Sequence, residues 1–339
     1  MKLALSILLT LFFSCAALIV VLQKEESGQT VARTLSQKGL KGAVSFSGAS
    51  FTVSDKMALK NVSLVFRDIP AFKNRIKSFV LHSYRKERGI LSDLSMTARG
   101  VRFKVSDLVR LTAASPSDIT DDFKNFDPVE GLISQPLHAL LLAGCDDVDA
   151  TVKASYRYFP DGGNMLLSAD VDDACVGRFE TEILLSGITN EKDGRFLAAF
   201  RHLFLRGEPM KDIEFFLKGS TVERWRFSFS ERKAVTGYKQ FVDRLYLRFP
   251  GTESRAEITP EGIRKIATYL SFSNAHRQRN FELARTLAAF VKNPVGISVK
   301  SKSGKAVPLN RLNGNFLRRF VDLLLRLDVS VVNESGSGN

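Results

Sequence analysis

The chain has 339 residues, of which 44% are hydrophobic and 25% charged, and this globular composition excludes wholesale disorder. Its formal net charge of +13 favours polyanionic partners such as nucleic acid, anionic lipid head groups or acidic proteins. The sequence holds 26 Phe and one Trp, and Phe suits broad apolar sheet faces because it has no polar group to satisfy.

An uncharged apolar segment runs from Leu3 to Leu22. At 1.5 Å per residue it is about 30 Å long, which matches the hydrocarbon core of a bilayer. Lys2 precedes it and favours an N-inside orientation. We therefore expect residues 1–23 to be an uncleaved transmembrane anchor, single-pass in a bacterial inner membrane, with the rest of the chain in the periplasm.

Three alternatives to this anchor stay open. Ser14-Cys15-Ala16 has the small residues of a signal-peptidase site, and Cys15 is a candidate lipoprotein cysteine. The third alternative is a buried core helix. All readings except the last export the domain, which disfavours nucleic acid as a partner. They turn the basic surface toward phospholipid, lipopolysaccharide or other envelope proteins, and they permit disulfides.

Residues 24–114 are predicted to form a β-rich subdomain after a short helix at 29–38. Apolar side chains alternate with polar ones, so the sheet is expected to bury one face. The turn signal Asp68-Ile69-Pro70 separates two of its strands. The strands predicted from this alternation are 44–46, 51–53, 62–66, 76–82 and 101–105.

Residues 115–127 are a polar linker, and 128–333 are predicted to form a second subdomain that begins with a helix at 128–142. Strict alternation from Val148 to Tyr158, the turn signal at 160–164 and renewed alternation from Met165 predict a β-hairpin. Further strands are predicted at 179–185, 213–217, 225–229, 242–249, 295–299 and 329–332. Helices are predicted at 259–270, at 277–291 and from Pro308 onward, and 334–339 are a flexible tail. The predicted fold class is α+β: an extended, mostly antiparallel β-sheet covered in part by amphipathic helices and preceded by one N-terminal transmembrane helix.

Cys145 and Cys175 flank the predicted hairpin symmetrically about its turn. In an oxidising compartment this placement predicts a disulfide between them; the alternative is two buried thiols. Four carboxylates come near the same end of the hairpin, and calcium binding is one interpretation of them. Polar strand ends in water are the other. These carboxylates are Asp146, Asp147, Asp172 and Asp173.

No catalytic or nucleotide-binding motif is present in the sequence, and no Cys or His spacing typical of a metal site. We therefore predict a non-enzymatic protein without a cofactor. An envelope hydrolase, with Asp146 and Asp172 as the acidic pair, is the third-ranked alternative.

The N-terminal span, the strand-rich opening (43–66, 76–84 and 94–105) and the later repeat of strands and helices resemble the AsmA-like inner-membrane-anchored envelope proteins. The resemblance implies a role in outer-membrane biogenesis or lipid movement, with an apolar groove that receives acyl chains. The chain is much shorter than the long bridging members of that group. A scaffolding subunit of an envelope complex is the second functional hypothesis. The residues predicted to line such a groove are Phe46, Phe51, Phe66, Val152, Tyr156, Phe179, Phe215 and Phe227.

Overall fold

The structure is a computed structural model of the chain. It describes residues 44–51, 57–66, 69–88, 90–112, 136–202, 215–216, 218–237, 239–240, 281–282, 285–286, 289–290, 295–302, 304–311, 323, 326–328 and 330–333. The predicted membrane anchor, the helices at 29–38 and 259–270, the linker at 115–127, the strand at 242–249 and the tail lie outside these residues. Among the described residues no helix is long and apolar enough to cross a membrane.

Twelve strands within the described residues form one antiparallel sheet, which confirms the predicted mostly antiparallel architecture. In chain order the strands are β1 (Val44–Ser45), β2 (Gly48–Phe51), β3 (Met57–Phe66), β4 (Ile69–Glu87), β5 (Ile90–Lys104), β6 (Asp147–Phe159), β7 (Asn164–Asp173), β8 (Gly177–Ser186), β9 (Thr221–Glu231), β10 (Gly296–Lys300), β11 (Val307–Pro308) and β12 (Ser330–Asn333). The order across the sheet is β1-β3-β4-β5-β6-β7-β8-β9-β10-β12, with β2 also paired to β3 and β11 to β9.

Three helices are assigned among the described residues. They are α1 (Val105–Thr112), α2 (Pro136–Leu142) and α3 (Asn190–His202). Helical residues also occur in parts of 281–290, within the predicted helix at 277–291. α1 and α3 were not predicted.

The predicted hairpin of β6 and β7 is confirmed, with Phe159 paired to Asn164 across its turn. Every second residue of β6 from Val148 to Tyr158 is buried, and the intervening residues are exposed or half-buried. This follows from the two-residue repeat of a strand, which places successive side chains on opposite faces. The hairpin therefore fixes which face of the sheet is apolar.

The sheet runs without interruption across the predicted boundary between the two subdomains. β5 pairs with β6, for example at Ala98 opposite Val152, so strands from 24–114 and from 128–333 share one sheet. The pairing register shifts between Ala98 and Val101, beside Gly100 at φ +62°. That left-handed conformation suits glycine.

Helical residues pack on the apolar face of the sheet, over β6 and β9. Phe196 of α3 lies against Tyr156 of β6, with ring centroids 6.4 Å apart, and Phe216 contacts Phe196 at 4.5 Å. Phe290 packs with Val235 and Ile297 in a buried cluster. The apolar face is therefore the core of the molecule, and the opposite face is left for polar side chains.

Three sequence predictions were wrong in detail. Phe215 and Phe216, predicted within a strand, are helical; their aromatic rings pack on α3 instead of alternating across a sheet. The predicted turn at 68–70 overlaps β4, which already begins at Ile69 and includes Pro70. Pro308, predicted to open a helix, lies in β11, and residues 309–311 form a 3₁₀ turn.

Candidate functional site

A cavity of about 820 Å³ lies over the polar face of the sheet and draws its lining from the seven strands β4 to β10. Two rows of polar side chains cross its floor in register. The first row is Thr97, Lys153, Asp170, Glu180, Ser228 and Ser298. The second row is Ser95, Ser155, Ser168, Glu182, Arg226 and Lys300. We call this surface the polar trough.

Hydroxyl groups occupy the β5–β7 part of the trough. The hydroxyl oxygens of Ser155 and Ser168, which lie opposite each other on β6 and β7, are 2.6 Å apart. On β4, Nε2 of His82 lies 2.8 Å from Oγ1 of Thr97. Thr97 is buried, so its hydroxyl is poorly placed to attack a bulky substrate.

Asp170 holds the centre of the trough by binding two cations. Lys153 donates to it at 3.1 Å, and Arg178 donates through Nε and Nη2 at 3.0 and 3.1 Å. Partial burial raises the pKa of Asp170, but the hydrogen bonds from Arg178 and Lys153 outweigh burial and hold the pKa below its ordinary value. This carboxylate is therefore ionised at neutral pH and fixes the side chains around it.

The two glutamates of the trough are also engaged. Glu180 contacts Nη2 of Arg178 at 2.5 Å and accepts a hydrogen bond from Ser228 at 3.2 Å. Glu182 accepts a hydrogen bond from Nη2 of Arg224 at 3.1 Å. The trough thus combines ordered carboxylates, hydroxyls and cations, a set that hydrogen-bonds polar ligands.

A buried polar cluster lies on the opposite, apolar side of the sheet. Asp193 of α3 is 2% exposed and accepts a hydrogen bond from the hydroxyl of Tyr156. Burial raises the pKa of Asp193 to about 6, against an opposing effect of the Tyr156 hydrogen bond. Burial also raises the pKa of Tyr156, with a further contribution from the charge of Asp193. The sequence contained one signal for this helix: Thr189, whose hydroxyl accepts a hydrogen bond from the Lys192 amide at 3.2 Å and caps α3.

Cys145 and Cys175 form the predicted disulfide, with Cα atoms 5.7 Å apart. Asp173, next to the turn that carries Cys175, is 4% exposed. It accepts hydrogen bonds from the backbone amides of Cys175, Val176 and Asp149 at 2.8, 2.8 and 2.9 Å. The disulfide and this carboxylate together anchor the 174–176 turn.

The other three carboxylates that the sequence suggested as calcium ligands each contact a different group of the protein. Asp146 accepts from the amide of Ser106 at 2.8 Å, which caps the start of α1. Asp147 lies 3.9 Å from Nζ of Lys104, and Asp172 lies 2.8 Å from Nη2 of Arg232. No group of three or more His, Cys, Asp or Glu among the described residues is arranged to hold a metal ion. Neither Asp146 nor Asp172 lines the polar trough.

The residues predicted to line an apolar groove do not share one environment. Val152 and Tyr156 are buried in the core, whereas Phe46 is half-buried near β1. Phe179 and Phe227 are half-buried and meet edge to face with centroids 4.8 Å apart. Phe215 is 36% exposed, with the Arg195 guanidinium 5.4 Å from its ring. The side chains of Phe51 and Phe66 lie outside the described residues.

Sequence reasoning did not single out the polar trough. A signal existed, because the turn at 160–164 fixes the register of β6 against β7 and thereby places Ser155 opposite Ser168 and Lys153 opposite Asp170. Comparison with protein-family models finds no match for this chain, and no curated protein matches its sequence.

Proposed function

We propose that the protein is a non-enzymatic, membrane-anchored protein of the bacterial cell envelope whose polar trough binds a hydrophilic ligand. The observation that carries this proposal is the trough itself: about 820 Å³ floored by paired hydroxyls and by carboxylates that their own cations hold in place. Ordered polar groups of this kind give orientation and specificity to a bound polar molecule.

Two further features support placement in the envelope. The Cys145–Cys175 disulfide is the type of cross-link that persists in the periplasm and is rare in the cytosol. The apolar segment at 3–22 has the length of a membrane span. Proteolysis of intact spheroplasts tests this location: we expect the domain to be digested from outside while the membrane stays sealed, and protection of the domain would contradict it.

Burial favours a polar ligand over an acyl chain. Val152 and Tyr156, two of the side chains predicted to receive acyl chains, are already covered within the core. A lipid partner would therefore present its head group to the trough, and phospholipid and lipopolysaccharide remain candidates in that sense.

Native mass spectrometry of the full-length chain, purified from bacterial membranes in detergent, tests the proposal. We expect a bound polar ligand of defined mass in the wild-type chain. Ser168→Tyr should remove it, because the larger side chain fills the centre of the trough. The matched control is Ser230→Tyr, which adds the same bulk to the sheet at an exposed position of β9 outside the cavity lining. Equal ligand retention by the two variants would contradict binding in the trough.

Protein binding at the end of the sheet is a second candidate function. β12 is the last strand in the described sheet order, and Val332 in it is 55% exposed. A partner strand added at such an edge gains main-chain hydrogen bonds. If this candidate is correct, a protein cross-links to the wild-type chain in membranes and fails to cross-link to Val332→Asp, while ligand binding in the trough is unchanged.

A further inference from the structure

Two cations face each other at one end of the polar trough. Lys300 on β10 pairs in register with Arg226 on β9, and both exposed side chains line the cavity. Directly opposed like charges on neighbouring strands destabilise a sheet. A negative charge placed between the two cations would relieve this repulsion.

The carboxylates of the trough do not supply this charge. Glu182, the cross-strand neighbour of Arg226 on β8, forms its ion pair with Arg224 at 3.1 Å. Asp170 binds Lys153 and Arg178, and Glu180 contacts Arg178. Among the described residues, neither Arg226 nor Lys300 has an ion-pair partner.

Hydroxyl groups complete the surroundings of the two cations. Ser228 lies two residues after Arg226, and Ser298 lies opposite it, two residues before Lys300; both line the cavity. Ser228 already donates its hydroxyl hydrogen to Glu180. An anionic group placed between the cations would accept charge-assisted hydrogen bonds from them and a further hydrogen bond from the Ser298 hydroxyl. Arg226 also offers the planar fork that matches a carboxylate or a phosphate.

We infer that Arg226 and Lys300 form an anion-binding subsite of the trough, and that the ligand is a glycan that carries carboxylate or phosphate groups. The inference rests on the proposed function, since it assigns a chemical class to the ligand of the same trough. The serine row of the trough, Ser95, Ser155 and Ser168, lies on the strands beyond Glu182 and suits the hydroxyls of a sugar chain. An extended acidic glycan would reach both parts at once.

Calorimetric titration of the full-length chain in detergent tests the inference. Three probes are used: a short oligogalacturonate, its neutral methyl ester, and phosphate-bearing oligosaccharide from deacylated lipopolysaccharide. We expect at least one of the two acidic probes to bind, the neutral ester to bind much more weakly, and binding to weaken as salt is added. The acidic probe that binds more tightly identifies the anionic group as carboxylate or phosphate.

The variants separate the subsite from net charge. Arg226→Gln with Lys300→Gln should weaken binding of the acidic probe at least about tenfold, because each cation contributes a hydrogen bond to a charged group. Lys233→Gln with Lys305→Gln removes the same charge from exposed positions outside the cavity lining and should leave binding within about twofold. Arg226→Lys with Lys300→Arg keeps both charges and should retain most of the affinity. Circular dichroism checks the fold of each variant.

Three results would overturn the inference. Equal affinity of the two Gln pairs would show that general charge, and no defined subsite, attracts the anion. A second result is that the neutral ester binds the wild-type chain as tightly as the acid does but does not bind Ser168→Tyr. This result would reject the anion subsite and leave the proposed function of the trough intact. Absence of binding by all three probes would reject an acidic glycan as the ligand.

Discussion

Asp193 shows how one buried residue sets the pH dependence of stability. The unfolded chain releases the proton of this carboxyl near its ordinary pKa of 3.8, whereas the folded chain retains it to about pH 6. The folded state therefore binds more protons between these two values, and the free energy of unfolding falls as pH rises through that window. Above about pH 6, the free energy of unfolding stays lowered by a constant amount. The size of the pKa change makes this amount roughly 3 kcal/mol.

Asp193→Asn should remove this loss, because the amide oxygen still accepts the hydrogen bond from Tyr156 and the side chain no longer ionises. We expect the variant to gain stability relative to wild type as pH rises from about 4 to 6, and the difference to be constant above that range. Urea unfolding at a series of pH values measures it. A difference that does not change with pH would show that Asp193 does not ionise in this window. Glu191→Gln, at an exposed position of α3, is the control.

The sequence pattern predicted where the tyrosines of this buried cluster lie, but it did not predict the position of the aspartate. Tyr156 and Tyr158 fall on the buried face of β6 by strict alternation, so their position followed from the sequence. Asp193 did not, because residues 190–195 at the start of α3 include no apolar side chain and contain Gly194, so this part of the sequence lacks the apolar stripe that predicts a helix. Only the folded chain brings Asp193 over Tyr156.

At the scale of elements, the disulfide links the start of β6 to the turn that connects β7 and β8. Its two cysteines are 30 residues apart. In the chain-entropy model, closing a loop of this length stabilises the folded state by roughly 3.7 kcal/mol. Cys145→Ser with Cys175→Ser should lower the free energy of unfolding by about that amount.

Urea unfolding with and without reductant measures this effect. Reductant should destabilise the wild-type chain and leave the Ser pair unchanged, since Cys15 is then the one cysteine left in the chain and has no intramolecular partner for a disulfide. An intact mass two units below the fully reduced value confirms the bond, on the basis of the two hydrogens lost on oxidation. Equal stability of oxidised and reduced wild type would contradict a structural role.

The hairpin elements were predictable because turn and alternation agree. Residues 160–164 carry turn-forming residues, and they fix a register that runs unbroken to Ala150 opposite Asp173. Prediction failed where local patterns were ambiguous: Ile213–Leu217 is a short apolar run whose described residues are helical. Short apolar runs suit a buried strand or a buried helix equally well. The polar trough required the register of seven strands, of which the sequence specified only the central pair.

At the scale of the whole molecule, we expect strands on both sides of the predicted linker at 115–127 to unfold together, because they share one continuous sheet. Val152 lies at the junction: it is 2% exposed on β6 and pairs with Ala98 of β5 and Val171 of β7. Val152→Ala removes two buried methyl groups and should lower the free energy of unfolding by about 2 kcal/mol. Thr151→Ala, its neighbour on the polar face, is the matched control and should cost less.

Hydrogen exchange decides whether this loss spreads through the sheet. If β3 to β5 and β7 to β9 unfold as one cooperative unit, the slowest amides of both groups should lose protection by the same factor, roughly thirtyfold for 2 kcal/mol. If only one group loses protection, the two sides unfold independently despite their shared hydrogen bonds. We expect both groups to lose protection together, because the apolar residues on both sides of the β5–β6 pair form one core. Removing packing at Val152 weakens the contact through which each side stabilises the other.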